Sequence, residues 1–163
     1  MSKVFKSLSL FIIALFTLSS CLKTDEKNYE ANEQSNINNY LSANPTLLFE
    51  QKESGLYYFQ ETAGSGDVIG ANDTAYVSYS GEFLNGYQFD STTGTDTYKV
   101  LMGSQSVIPG FEEAISYMRE GGKSICIVPS KLAYGRYGYQ PYIPGYTPLV
   151  FEISLKKIGR ATQ

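Results

Sequence analysis

The sequence predicts an α+β domain in which a curved antiparallel β-sheet of about five strands wraps around one short α-helix. Three observations carry that expectation. From Gly55 onward, short β-rich runs are separated by Gly- and Asn-containing turn clusters, the punctuation of an antiparallel sheet. One segment alone changes its period: Phe111, Ala114, Ile115 and Met118 fall at i, i+3, i+4 and i+7, a single apolar helical stripe. The last run then alternates cleanly, with Phe151, Ile153 and Leu155 on one face and Glu152, Ser154 and Lys156 on the other.

Taken in order, Leu56-Tyr57-Tyr58-Phe59 is a strand, followed by a turn at Gly64-Ser65-Gly66-Asp67. Ala75, Val77 and Tyr79 alternate with Tyr76, Ser78 and Ser80, the period of a half-buried strand. Leu84-Asn85-Gly86-Tyr87 is a tight turn of the Asn-Gly kind. Pro109-Gly110 introduces the helix, Glu112 and Glu113 suit the positive end of its dipole, and Gly121-Gly122 closes it. Ser124-Ile125-Cys126-Ile127-Val128 is another apolar strand, in which Cys126 reads as a small core hydrophobe. The span 45–163 is long enough for one core and holds no internal repeat.

Ahead of this lies a different kind of sequence. Lys3 and Lys6 give a positive start, Leu8 to Leu18 is an apolar run of 11 residues, and Leu18-Ser19-Ser20-Cys21 follows. Charge, length and small residues before the break mark residues 1–20 as a secretory signal, too short to span a bilayer. Leu-Ser-Ser-Cys resembles a bacterial lipobox, which implies acylation of Cys21 and a lipid anchor holding the protein to the cell envelope. Export to the outer membrane, facing the periplasm or the exterior, is the expected location. Residues 21–44 are a polar tether rich in Asn, Glu, Lys and Ser. Within it, Tyr29 to Leu41 is compatible with a short helix carrying Ile37, Tyr40 and Leu41 on one side, and equally with no fixed structure. Asn44-Pro45 would end such a helix.

Composition excludes several chemistries. Of 13 Lys and Arg, Lys3 and Lys6 leave with the signal, so 11 face 16 Asp and Glu, a net charge of −5. With no basic stripe, a nucleic-acid partner is not expected. The chain has no His, so His-based triads and His-rich metal sites are ruled out. With Cys21 lipidated, Cys126 stands alone and no internal disulfide forms. No cofactor or metal is implied.

The stretch from Tyr79 to Tyr134 is where chemistry concentrates. It reads YSGEFLNGYQFDS, then VIPGFEEAISYM, then VPSKLAYG. Tyr79, Phe89, Val107, Ile108, Phe111 and Tyr134 are candidates to line one apolar cup, with the acid Asp90 at its wall. Such a cup holds neither nucleophile nor base. It suits a reaction that needs only desolvation and shape. The order YxGxxxxGxxFDS, VIxGFEEAI, PSxLAYG, IP and LVFEISL resembles the FKBP-type peptidyl-prolyl cis–trans isomerases over roughly Gly55 to Ile158, about two thirds of the chain.

The resemblance implies an FKBP-like fold and prolyl isomerisation, with proline-containing polypeptides as substrates and macrolides as inhibitors. It implies a proline ring lying on Phe111, walled by Tyr79, Phe89, Val107, Ile108 and Phe151. The Ile108 N–H and the Tyr134 hydroxyl would hold substrate carbonyls, and Asp90 would orient groups at the wall. Tyr139, Tyr142 and Ile143 would form a substrate rim in the loop from Gly135 to Pro148, which also carries Tyr137 and Tyr146. Three positions depart from the family's better-known members: Phe111 stands where Trp is usual, Tyr139 where His is common, and Tyr142 where an aliphatic residue is common. Residue by residue, other readings stay open. Val107, Ile108, Phe111 and Phe151 also suit core packing, and Asp90 alone suits a turn cap. At the level of function, a non-catalytic peptide-binding or chaperone-like module on the same fold competes with the enzyme. So does a small β-barrel carrier, against which the central helix and Asp90 speak.

Overall fold

The computed structural model describes residues 26–161; the signal segment and Cys21 lie outside them. Helix α1 covers residues 26–43 of the described chain. Seven strands follow: β1 Glu50–Gln51, β2 Tyr57–Thr62, β3 Thr74–Phe83, β4 Gln88–Ser91, β5 Tyr98–Leu101, β6 Lys123–Val128 and β7 Leu149–Gly159. Helix α2, Pro109–Ser116, and a single 3-10 turn, Ser130–Leu132, lie between strands. The sheet is antiparallel throughout, ordered β1-β2-β6-β7-β3-β4, with β5 also pairing β3.

The α+β class is as expected, with two additions. Seven strands replace about five: β1 is two residues long, and β5 buries only Val100, so neither shows a period in sequence. The polar segment before the sheet is a docked helix, where sequence alone permits helix and unstructured tether equally. Alternation along the strands explains why. Tyr58, Cys126, Val128, Leu149 and Phe151 belong to one core with α2, while Tyr57, Ile127 and Val150 belong to a second core on the opposite face. Strand β7 therefore begins with three consecutive buried residues, Leu149-Val150-Phe151, the mark of a strand covered on both sides. Ile37 of α1 is 1% exposed in the second core, flanked by Tyr40 and Leu41. No helix among the described residues is long and apolar enough to cross a membrane.

Helix α2 starts and ends differently from the expected bounds. Pro109 occupies its first turn, where its missing N–H costs no hydrogen bond. The helix stops at Ser116, so Met118 lies beyond it. Its N–H still donates to the Ile115 carbonyl at 2.9 Å, and its side chain stays buried. Gly121, at φ 82°, supplies the left-handed residue that turns the chain into β6.

Candidate active site

Strand β3 changes partner halfway along, and the cleft opens at that change. Thr74 to Val77 pair with β5, whereas Ser80 to Glu82 pair with β4. Tyr79 sits between the two. Its backbone is held instead by Thr92, whose N–H donates to the Tyr79 carbonyl and whose Oγ1 accepts from the Tyr79 N–H, both at 3.0 Å. The Tyr79 ring thus meets side chains arriving from β4, β5, α2 and β7.

Those side chains form an aromatic box. The Phe111 ring lies 5.3 Å from Tyr79 and 5.1 Å from Phe151, in both cases edge to face. Phe89 meets Phe151 at 5.8 Å with the planes at 90°. Edge-to-face pairs place a ring's positive rim against its neighbour's negative face, which fixes orientation as well as contact. Gly81 makes the closure possible: a Cβ there would lie 2.8 Å from Phe89 and 2.9 Å from Phe151. Phe111 and Phe151 are both buried, so for them core packing and cleft lining coincide.

The cleft measures about 150 Å³ and is lined by Tyr79, Phe89, Asp90, Val107, Ile108, Phe111, Tyr134 and Phe151, together with Tyr98 and Ser106. The eight candidate cup residues are thus brought to one place. Tyr98 is not a candidate from sequence, because one aromatic at the head of a mostly exposed edge strand has no periodic signature. Ser106 carries no signal beyond its place before Val107. No Cys, His or Lys lines the cleft.

Its polar groups are few. The Tyr79 hydroxyl donates to Asp90 Oδ2 at 2.6 Å. Burial, and then this carboxylate, push the Tyr79 hydroxyl well above the ordinary tyrosine range. Tyr134 is also raised, by burial first, then by Asp90, Tyr139 and Tyr98. Both hydroxyls are therefore proton donors at neutral pH. Ile108 caps α2 with extended backbone, φ −60° and ψ 142°. Its carbonyl accepts from the Phe111 and Glu112 N–H groups, while its own N–H makes no hydrogen bond among the described residues. The cleft lining thus combines Ile108, whose N–H is unpaired among the described residues, and the Tyr134 phenol with aromatic walls.

The expected rim divides. Tyr139 stands beside Tyr134, ring centroids 5.5 Å apart, and Tyr142 stacks on Tyr139 at 6.0 Å. Ile143 corrects the expectation. It is 2% exposed and belongs to the core, because the Tyr139–Ile143 bridge folds the loop back and turns that side chain inward. Tyr146 faces away as well, stacked on Tyr29 of α1 at 4.7 Å with the planes 6° apart. Cys126 is fully buried, and burial pushes its thiol up to about 12, which leaves it unreactive.

The cleft is a small aromatic-walled site with few polar groups, set where the antiparallel sheet packs against α2. A family model described as FKBP-type peptidyl-prolyl cis-trans isomerase matches residues 66–156. The chain is 40% identical over 106 residues to the FKBP-type peptidyl-prolyl cis-trans isomerase FkpA of Buchnera aphidicola, across 63% of this chain and 40% of that protein. Among solved structures, FkpA from Escherichia coli aligns with a TM-score of 0.72 at 28% identity, covering 96% of this chain and 72% of that one. A peptidyl-prolyl cis-trans isomerase from Pseudomonas syringae aligns at 0.70 and 27% identity, covering 82% and 96%. The chain belongs to the FKBP-type peptidyl-prolyl cis-trans isomerase family. It spans about two fifths of the length of the Buchnera FkpA it matches.

Proposed function

We propose that this protein is a peptidyl-prolyl cis–trans isomerase acting on exported polypeptides, and that it works by holding the X-Pro amide in a twisted form inside the aromatic cleft. The barrier to rotation, roughly 18–20 kcal/mol, is the loss of amide resonance. A twisted amide is less dipolar than a planar one, so a dry aromatic cleft favours it. An acceleration of about a millionfold corresponds to roughly 8 kcal/mol of binding realised only in the twisted form. The proline ring lies on Phe111 between Tyr79, Phe89 and Phe151, with Val107 and Ile108 at the mouth. The Ile108 N–H and the Tyr134 hydroxyl donate to substrate carbonyls, and Asp90 holds the Tyr79 hydroxyl while meeting the substrate at the wall. Tyr139 is the rim residue nearest this cleft.

The single observation that carries the reading is that Ile108, whose N–H has no partner among the described residues, lines the same small cleft as the Phe111 ring and the Tyr134 phenol. Prolyl isomerisation of a short X-Pro peptide by the full-length chain, with and without a macrolide inhibitor, tests it. Inhibitable turnover is the expected result. Macrolide binding without turnover would identify a peptide-binding module on the same frame. Location belongs to the same proposal: Lys3, Lys6, the Leu8 to Leu18 run and Leu-Ser-Ser-Cys21 support export and a lipid anchor on Cys21. Labelling with a radioactive fatty acid should mark the native chain and not Cys21→Ser.

A further inference from the structure

The cleft is not the roomiest concavity among the described residues. A groove of about 800 Å³, against about 150 Å³ for the cleft, opens between α1 and the loop that precedes β7. Tyr40 and Ala43 of α1 form one wall, Phe83 and Leu84 at the end of β3 the floor, and Tyr142 and Pro148 the other wall. Asn36 and Asn39 add exposed side-chain amides that bond no other described residue. No charged side chain lines it, in a chain that is 18% charged. Rings and free amides together suit an uncharged extended peptide, whose side chains stack and whose backbone groups pair with amides.

A line of tyrosine rings links the groove to the cleft. Tyr134 lines the cleft and Tyr142 lines the groove. Tyr139 joins them through ring-to-ring steps of 5.5 and 6.0 Å. An extended chain at about 3.3 Å per residue covers that path in about three to four residues. We propose that the groove is a second subsite for the same polypeptide substrate, taking an uncharged aromatic or aliphatic segment about four or more residues from the proline. This rests on the isomerase reading of the cleft. Helix α1 is then part of the substrate surface, and the line of tyrosines is the track between the two subsites.

The test compares a tetrapeptide X-Pro substrate with a peptide extended, on either side in turn, by an uncharged aromatic-bearing segment. The enzyme is the full-length chain in detergent. The expected result is a KM about tenfold lower for the extended peptide. Asn39→Arg and Ala43→Arg, both at exposed positions of α1, should remove that gain and leave tetrapeptide turnover unchanged. Absence of any gain, or a gain that survives both variants, overturns the proposal. If the native chain turns over neither peptide, the isomerase reading has failed separately. The groove is then judged by fluorescence anisotropy of the labelled extended peptide, whose binding must weaken about tenfold in the variants. Binding that does not change overturns the proposal. If the variants instead dissociate a dimer with peptide binding intact, the groove holds a second copy of the chain and the proposal falls.

Discussion

Asp90 is exposed and yet takes the shortest hydrogen bond in the cleft, from the Tyr79 hydroxyl at 2.6 Å. Its loss should therefore be felt in turnover far more than in stability. Asp90→Ala is expected to lower kcat/KM about tenfold while unfolding shifts by less than about 1 kcal/mol, since exposed positions carry little folding energy. Tyr134→Phe, which removes only a donor, should lower turnover with the melting temperature unchanged. Full activity in both variants would contradict the roles of Asp90 and Tyr134 at the cleft wall. The raised Tyr79 and Tyr134 hydroxyls set an alkaline prediction. In each, the protonated form is favoured by folding, so its contribution is complete below the unfolded value near 10 and is lost only as pH rises through the higher folded value. Activity limited by these phenols should therefore persist past pH 10; a fall centred at or below the free-tyrosine range would show that they are not the donors. At Gly81, an added methyl meets the Phe89 and Phe151 rings. Gly81→Ala should cost about 1–3 kcal/mol as overpacking, and should reduce turnover because those rings wall the cleft.

At the scale of elements, the decisive piece is α1. It contributes Ile37 to the second core, and Glu33 to the loop that leads to Tyr134. The buried Glu33 carboxylate accepts from the Ser130 hydroxyl at 2.7 Å and from the Ser130 backbone N–H. Ile37→Ala should cost about 2–4 kcal/mol, the range for deleting a fully buried aliphatic side chain. Glu33→Ala should cost about 1–3 kcal/mol, because a buried N–H and a hydroxyl lose their acceptor. Denaturant unfolding checks both. A cost near zero at both positions would mean that α1 is not docked in solution. The apolar stripe Ile37, Tyr40 and Leu41 is visible in the sequence, but whether a partner surface exists for it is not. That surface is the second face of the sheet, made of Tyr57, Ile127 and Val150, which lie far away along the chain.

Across the whole molecule, both cores share the same strands. Strands β6 and β7 present Cys126, Val128, Leu149 and Phe151 to α2, and Ile127 and Val150 to α1. Neither layer can separate without exposing the other's sheet. One cooperative transition is therefore expected, with helical signal in the far ultraviolet and tyrosine signal in the near ultraviolet changing at the same temperature. An early loss of helix alone would show two independent units. The pairing of β3 with β7 joins residues 66 to 85 positions apart, so folding should fall on the slow, non-local side of the range for domains of this size.

The sequence by itself determined the local choices: the strand alternation, the position of α2, the Asn-Gly turn, and the family motifs that named the residues around Phe111. Those signals are short in range, because side-chain period and turn chemistry act over a few residues. It did not determine the inward turn of Ile143, the part taken by Tyr98, the docking of α1 or the groove beside it. Each of these depends on which distant surface a side chain meets. Tyr98 reaches the cleft only because β3 changes partner at Tyr79. Ile143 is buried only because its loop bridges back on itself, and α1 docks only because the sheet leaves a second apolar face to be covered. Burial is a property of the assembled sheet, and only the tertiary structure could assign it.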